Sequence, residues 1–508
     1  MIIICREDLP FNPDAIKKKY PHSRCWEIEE FFVKAKEDPE LYKEARRVFW
    51  ECLPGDVVVP CRIDGYFTAM PISSIVNLFK TGVRIDVLTL DDNLKLKFVK
   101  VIDVREMFYE GDAIEIYTTY GKSTIVTPNH VIPTTLGLIF AADFTKLQYE
   151  ILLRHEIFTD NQSRIPESSN NKDLITHDEA RLLGYILAEG CYHRKGTKRT
   201  DKGRHYIDCI SLTNKSSELI EDCCSILDKI DAYYYLRYRK DRDRLVLRAT
   251  VPKYKLKGLR NLFSKLGVER ISKSYEKTIP FKLFFCSKEL LRQFLRGLYS
   301  GDGCIKGKEC LDYATSSFLM AQQVYWMLKY LGFNPKIRYT EGNQRTLYRL
   351  HIDLREEIEK FYDEIGFIQT DKMERLSKLL ETGALGKRER MYESPTLALQ
   401  KVRIKYYRGA VYDLKVEYPH TFFAGFGILV HNSYWRRIGY YRGRHRFFDA
   451  YEDGKRLTRD EDKMRVLGEI IISAWEHGIV PREVIRMRRI KGWPPAYRRL
   501  PRKKPVLV

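Results

Sequence analysis

The chain has 508 residues, which exceeds one ordinary domain and suggests about three. Hydrophobic residues make up 44% of it, enough to bury cores, and 89 lysines and arginines against 68 aspartates and glutamates leave a formal charge of +21. An excess of that size favours a polyanionic partner, most often nucleic acid, over the alternative of a thermophile-like surface rich in both signs. The eleven cysteines show no paired metal spacing, and the long, cytosol-like composition argues against a disulfide framework. Met1-Ile2-Ile3-Ile4, followed by Arg6-Glu7-Asp8, lacks the basic lead of a signal peptide, and no apolar run reaches the length of a membrane span. A soluble, cytoplasmic protein without a membrane partner is expected.

Residues 1–51 end in a helical pattern, with Leu41, Ala45, Val48 and Phe49 recurring after Asp38-Pro39. The character changes at Cys52-Leu53-Pro54-Gly55-Asp56. From there to about 160 the chain reads as short strands, among them 57–59, 86–90, 114–117 and 125–126, separated by turn signals at Gly65, Asp91-Asp92-Asn93 and Gly121-Lys122. Residues 175–385 read as mixed α/β. Strand character returns over 395–432, at Val411–Val416 and Gly427–Val430, and residues 433–508 are again helical and rich in arginine. A β domain is thus interrupted by an α/β domain, and the pair interrupts a helical protein.

The α/β segment repeats itself. Leu182–Gly190 matches Leu295–Gly303, each a helix with small residues on one face that ends in a carboxylate and a glycine. Packed side by side, the two helices bring Glu189 and Asp302 together. Adjacent carboxylates repel unless a cation lies between them, so a Mg²⁺ site is expected there. Both copies continue into a Ser/Thr-led helix and a hairpin. Arg237, Arg239, Arg244 and Arg248 in the first, and Lys336, Arg338, Arg345 and Arg349 in the second, alternate with apolar or aromatic residues. Two such sheets related by a pseudo-twofold would form a basic saddle matched to duplex DNA.

The borders carry a different chemistry. The Cys52 thiol can attack the carbonyl of Glu51 and turn an amide into a thioester. The Ser433 hydroxyl can take over the acyl group, and the Asn432 side chain can cyclise and break the Asn432–Ser433 bond, with His431 polarising that step. Thr127-Pro128-Asn129-His130 offers a histidine to donate to the scissile nitrogen and a threonine to hold the geometry. Asp413 and His420 add an acid/base pair near the downstream border.

These blocks, in this order and spacing, resemble the splicing motifs of inteins of the Cys/Asn type. The resemblance implies an all-β, horseshoe-like splicing domain with no cofactor. Cys52 and Ser433 would be its two nucleophiles, Thr127 and His130 would activate the upstream bond, Asp413 would assist transfer, and His420 and His431 would promote cyclisation of Asn432. The repeated helices resemble the two-repeat LAGLIDADG homing endonucleases. That resemblance implies a pseudo-symmetric monomer, built on an αββαββα repeat, that cuts double-stranded DNA of an intein-free host gene with Mg²⁺ held by Glu189 and Asp302. Lys277 and Lys372 resemble the family's two lysines, and Glu189 departs from the commoner aspartate. Excision of 52–432 would leave a 127-residue host with mainly α-helical segments. Its arginines 436, 437, 442, 444 and 446, interleaved with aromatics, would suit nucleic acid. Two alternatives stand beside this: a splicing element whose endonuclease is inactive, and an inert DNA-binding regulatory scaffold.

Overall fold

A computed structural model describes residues 2–5, 24–27 and, within 52–432, all except 92, 94, 129, 135–136, 146–151, 155–164, 166–172, 197–205, 240–243, 252–258, 269, 272, 308, 343–344, 384 and 386–395. In the N-terminal flank, β1 (Ile2–Cys5) and β2 (Arg24–Glu27) pair in parallel. This adds a strand pair to a flank expected to be mainly α-helical, because a run of isoleucines favours the pleated strand. The helix expected over 41–49, and the whole of 433–508 with Ser433, lie outside the described residues.

The β domain begins with β3 (Leu53–Pro54), β4 (Val58–Ile63) and β5 (Tyr66–Pro71), followed by a short helix α1 (Ile72–Lys80). The β4–β5 turn is Asp64-Gly65, both at positive φ, 49° and 89°, where glycine costs nothing. Next come β6 (Ile85–Leu90), the 23-residue β7 (Leu96–Thr118), β8 (Ser123–Val126), β9 (Val131–Thr134), β10 (Gly137–Phe140) and β11 (Leu152–Arg154).

The central domain then runs twice through one plan. The first pass is α2 (His177–Glu189), β12 (Gly190–Gly196), β13 (Tyr206–Asn214), α3 (Ser217–Lys229), β14 (Tyr233–Arg239), β15 (Arg244–Val251) and α4 (Leu259–Leu266). The second is α5 (Lys288–Asp302), β16 (Gly303–Lys306), β17 (Cys310–Thr315), α6 (Phe318–Tyr330), β18 (Lys336–Glu341), β19 (Thr346–Ile352) and α7 (Arg355–Glu364), extended by α8 (Thr370–Thr382). The two antiparallel sheets have equivalent orders, β12-β13-β15-β14 and β16-β17-β19-β18. The chain returns to the β domain through β20 (Thr396–Val416), β21 (Thr421–Ala424) and β22 (Ile428–His431).

β20 lies antiparallel to β7 along almost its whole length, from Leu399 opposite Thr118 to Val416 opposite Val101. β3 pairs with the same strand, Leu53 opposite Tyr412, and one sheet runs β10-β9-β11-β20-β7-β6-β4-β5. The start and the end of the β domain therefore share one strand. Valines and isoleucines on the inner face form its core with α1.

In the central domain α2 and α5 meet backbone to backbone. A β-carbon on Gly184 would lie 2.4 Å from the Phe294 carbonyl oxygen, and one on Gly297 2.2 Å from that of Arg181. Each helix is started by its own cap. Thr176 and Glu179 exchange hydrogen bonds at α2, and Ser287 accepts from Leu290 N at α5. Gly297→Ala must push the two backbones apart. We expect it to cost roughly 1–3 kcal/mol and to lower the melting temperature, which calorimetry on the variant checks; an unchanged melting temperature would contradict so close a contact.

Candidate functional site

Two clusters emerge. At the first, the Cys52 thiol is 1% exposed and packs on Tyr109 and Val411, with its sulfur 3.6 Å from Met107 Sδ. Thr127 grips the same residue three times. Cys52 N donates to Thr127 Oγ1 at 3.0 Å, Thr127 Oγ1 donates to Cys52 O at 3.2 Å, and Thr127 N donates to Cys52 O at 3.0 Å. The turn from β8 to β9 closes with His130 N donating to Thr127 O at 3.0 Å, which carries the His130 ring to the Cys52 backbone. Burial pushes His130 down to about 3, partly offset by the Cys52 backbone beside it, so the ring is neutral at physiological pH.

The downstream border reaches the same place. β22 ends at His431, which is fully buried. Burial first, then the neighbouring His420 and His130, hold its pKa well below the ordinary imidazole range, although its hydrogen bond to the Asn432 backbone works the other way. Asn432 N donates to His420 O at 2.8 Å, and His420 Nδ1 lies 3.1 Å from Val416 O. Asp413 is buried on β20, two residues beyond the Val411 that packs on Cys52. Cys52, Thr127, His130, His420, His431 and Asn432 thus form one linked chain of contacts in which His130 touches Cys52 and lies close enough to His431 to act on its charge.

The second cluster sits where α2 and α5 end. Asp302 is pushed up to about 7 by burial and by the nearby Glu189, against the opposing pull of Lys277 and Lys372. Lys277 Nζ donates to Ala188 O at 2.7 Å, at the end of α2, and Lys372 Nζ donates to Ser300 O and Gly303 O, both at 2.8 Å, at the end of α5. Each lysine covers the electronegative end of one helix. Burial lowers both, and the two carboxylates hold them up. Asn214, which the sequence reading missed, donates to Glu189 Oε1 at 3.2 Å; its place at the end of the strand before the Ser-capped α3 was the available signal. Among the described residues no third His, Cys, Asp or Glu joins these acids. The crowding of a desolvated carboxyl against Glu189 is nevertheless what a divalent cation would relieve, with water and phosphate oxygens completing the shell.

The basic residues fall unevenly. Arg237 and Arg338 are exposed. Arg239 stands opposite Arg244 and Arg248 opposite Tyr235 on one sheet face. Lys336, however, is ion-paired with Asp353, Arg349 with the buried Asp312, and Arg345 lies 3.1 Å from the centroid of the Tyr275 ring. Three of the four cations of the second sheet are therefore engaged within the fold.

Comparisons with known proteins follow this division. Residues 176–275 and 289–366 match the model of the LAGLIDADG-like domain, and the central domain has the LAGLIDADG homing endonuclease-like α/β fold with antiparallel sheets. Similar curated proteins include a replicative DNA helicase DnaB of Nostoc, 29% identical over 343 residues that cover 65% of this chain and 36% of the helicase. A DNA polymerase of Thermococcus kodakarensis is 24% identical over 307 residues, covering 53% of this chain and 17% of the polymerase. The chain spans about a third or less of the length of such relatives. Among solved structures, I-DmoI in complex with DNA and manganese superposes with a TM-score of 0.29 at 21% identity, over 37% of this chain and 96% of that one.

The raised carboxyl predicts a pH signature. A group whose pKa rises on folding favours the protonated folded state, so its contribution to stability is lost as pH rises from its unfolded value of 3.8 to about 7. Asp302→Asn should therefore raise the melting temperature of the metal-free chain at pH 8 and leave it unchanged at pH 4. Melting curves at the two pH values check this, and an equal shift at both would contradict the burial of an ionisable group.

Proposed function

We propose that residues 52–432 are an autocatalytic splicing element whose central domain is a metal-dependent endonuclease acting on duplex DNA. The observation that carries the splicing reading is the linked cluster of Cys52, Thr127, His130, His431 and Asn432. The β-domain ends are 380 residues apart in the chain, yet the turn that carries Thr127 and His130 holds Cys52 and leads into β9, which packs against the β22 that ends at His431.

The chemistry balances without a cofactor. Cys52 Sγ attacks the Glu51 carbonyl carbon, the C–N bond is replaced by a C–S thioester, and the thiol proton passes to the freed amine. Thr127 holds Cys52 in register for that attack. His130, neutral because it is buried, donates a ring N–H to the departing nitrogen. Ser433 Oγ then attacks the thioester and returns the thiol, with Asp413 assisting the exchange. Asn432 Nδ2 attacks its own carbonyl carbon and breaks the bond to Ser433. His431 polarises that carbonyl and His420 orients the Asn432 backbone. The freed Ser433 amine finally takes the acyl group from its own ester oxygen, leaving an amide between Glu51 and Ser433.

Two further observations support the reading. Part of the chain is similar to part of a helicase and part of it to part of a polymerase, a pattern suited to a segment lodged in unrelated hosts. The nested order of the domains suits it too. For the endonuclease, Glu189 and Asp302 would hold Mg²⁺, which when bound supplies charge neutralisation and an activated water at the phosphodiester. Lys277 and Lys372 keep the acid-bearing helix ends together, and Arg237, Arg239, Arg244, Arg248 and Arg338 offer phosphate contacts on the two sheets.

Expression of the full chain should give species of 381 and 127 residues by intact mass. Cys52→Ala combined with Asn432→Ala should leave a 508-residue species only. A wild-type chain that persists at 508 residues would end the splicing reading. Incubating the excised segment with Mg²⁺ and a duplex carrying the uninterrupted host reading frame should give a double-strand cut. Asp302→Asn should reduce its rate at least about a hundredfold, in line with loss of metal-ion catalysis; a chain that splices but never cuts would identify a retired nuclease.

A further inference from the structure

The second helices of the two repeats are buried to very different extents. In α3 only one face is buried, through Leu219, Ile220, Cys223, Ile226 and Leu227. In α6 every residue from Met320 to Tyr330 is buried. A helix covered on all sides needs a second partner, and for α6 that partner is the β domain. Phe426 packs on Phe318 and Tyr325, and Phe423 on Trp326.

The contact is polar as well as apolar. Gln322 Oε1 accepts from Val58 N at 2.9 Å, and Gln322 Nε2 donates to Asp56 O at 3.1 Å. One turn on, Trp326 Nε1 donates to Gly425 O at 2.8 Å. Val58 and Gly425 are themselves joined, since Gly425 N donates to Val58 O at 2.9 Å. Gly425 is at φ +63°, and a β-carbon there would lie 2.4 Å from Ser123 O, so the junction admits no side chain. Val58 lies in the segment that leaves Cys52, and Gly425 in the hairpin that leads to Asn432. Two side chains four residues apart on one face of α6 therefore hold both ends of the hydrogen bond at which the two border segments cross.

We propose that α6 of the nuclease domain is a clamp on this crossing, with Gln322 and Trp326 as positioning residues for splicing. The inference rests on the splicing reading above. The nuclease domain is then more than a passenger: its second repeat has become part of the scaffold that aligns the two borders. Gln322 serves the upstream border and Trp326 the downstream one.

The test uses the full chain with Gln322→Met and Trp326→Phe, which keep the packing and remove the hydrogen bonds. Trp326→Phe should slow formation of the ligated 127-residue product about fivefold, the effect of one buried hydrogen bond, and Gln322→Met, which removes two, should slow it at least as much. The off-pathway fragments should shift in opposite directions. Gln322→Met should lower release of 1–51 relative to 433–508, and Trp326→Phe should do the reverse, whereas general destabilisation would move both alike. Wild-type rates, or an unchanged fragment ratio, would overturn the clamp. Amide hydrogen exchange in the Cys52→Ala, Asn432→Ala chain gives an independent reading. Gln322→Met should accelerate exchange at Val58, and unchanged exchange also refutes the clamp. Accelerated exchange in a chain whose wild type makes no ligated product would instead uphold the clamp and refute the splicing reading.

Discussion

The pairing of β7 with β20 is the constraint on which everything else depends. Residues 101–118 and 399–416 are far apart in the chain, yet they hydrogen-bond over almost their full lengths. Once that ribbon forms, a long excursion through the central domain must return the chain to the place it left. Cys52 is then fixed by β3 on one side of β20 and by Thr127 on the other, and Asn432 arrives through β22 beside His420. Neither end needs contacts of its own sufficient to find the other. Closing so long a loop costs only a slowly growing entropy, and the large core of the central domain, which extends into the β domain through Val58, Phe67, Phe423 and Phe426, offsets it.

The electrostatics of the two clusters differ in kind. Around Cys52 and Asn432 burial removes charge and holds His130 and His431 neutral. At the ends of α2 and α5, charge is concentrated instead. Two carboxylates are crowded together, two lysines are bound to helix carbonyls, and Asp302 titrates near neutrality. The first arrangement suits acyl exchange within the chain, and the second suits a cation brought from solution.

Much of this was legible in the sequence. The repeated helix ending in an acid and a glycine placed Glu189 and Asp302 together because only small residues permit the contact that Gly184 and Gly297 make. The border residues were legible as chemistry, since few residue types can exchange acyl groups. The length of β7 and β20 was not legible, because turn-forming Gly111 and Gly409 sit inside a ladder that pairs through them. Nor was the fate of Lys336, Arg345 and Arg349. Alternation sets the face of a strand, but Asp353, Tyr275 and Asp312 come from other parts of the chain. The apolar excess of α6 over α3 was visible in the residues, but its partner, the Phe423–Phe426 hairpin, was not.

The Cys52 sulfur is sealed beneath Tyr109 and Val411 and rests against a methionine sulfur. Oxidants and alkylating reagents act on thiols they can reach. A thiol kept in such a vault is spared by the redox conditions of its surroundings, and its lifetime is set by the folding of the ribbon around it.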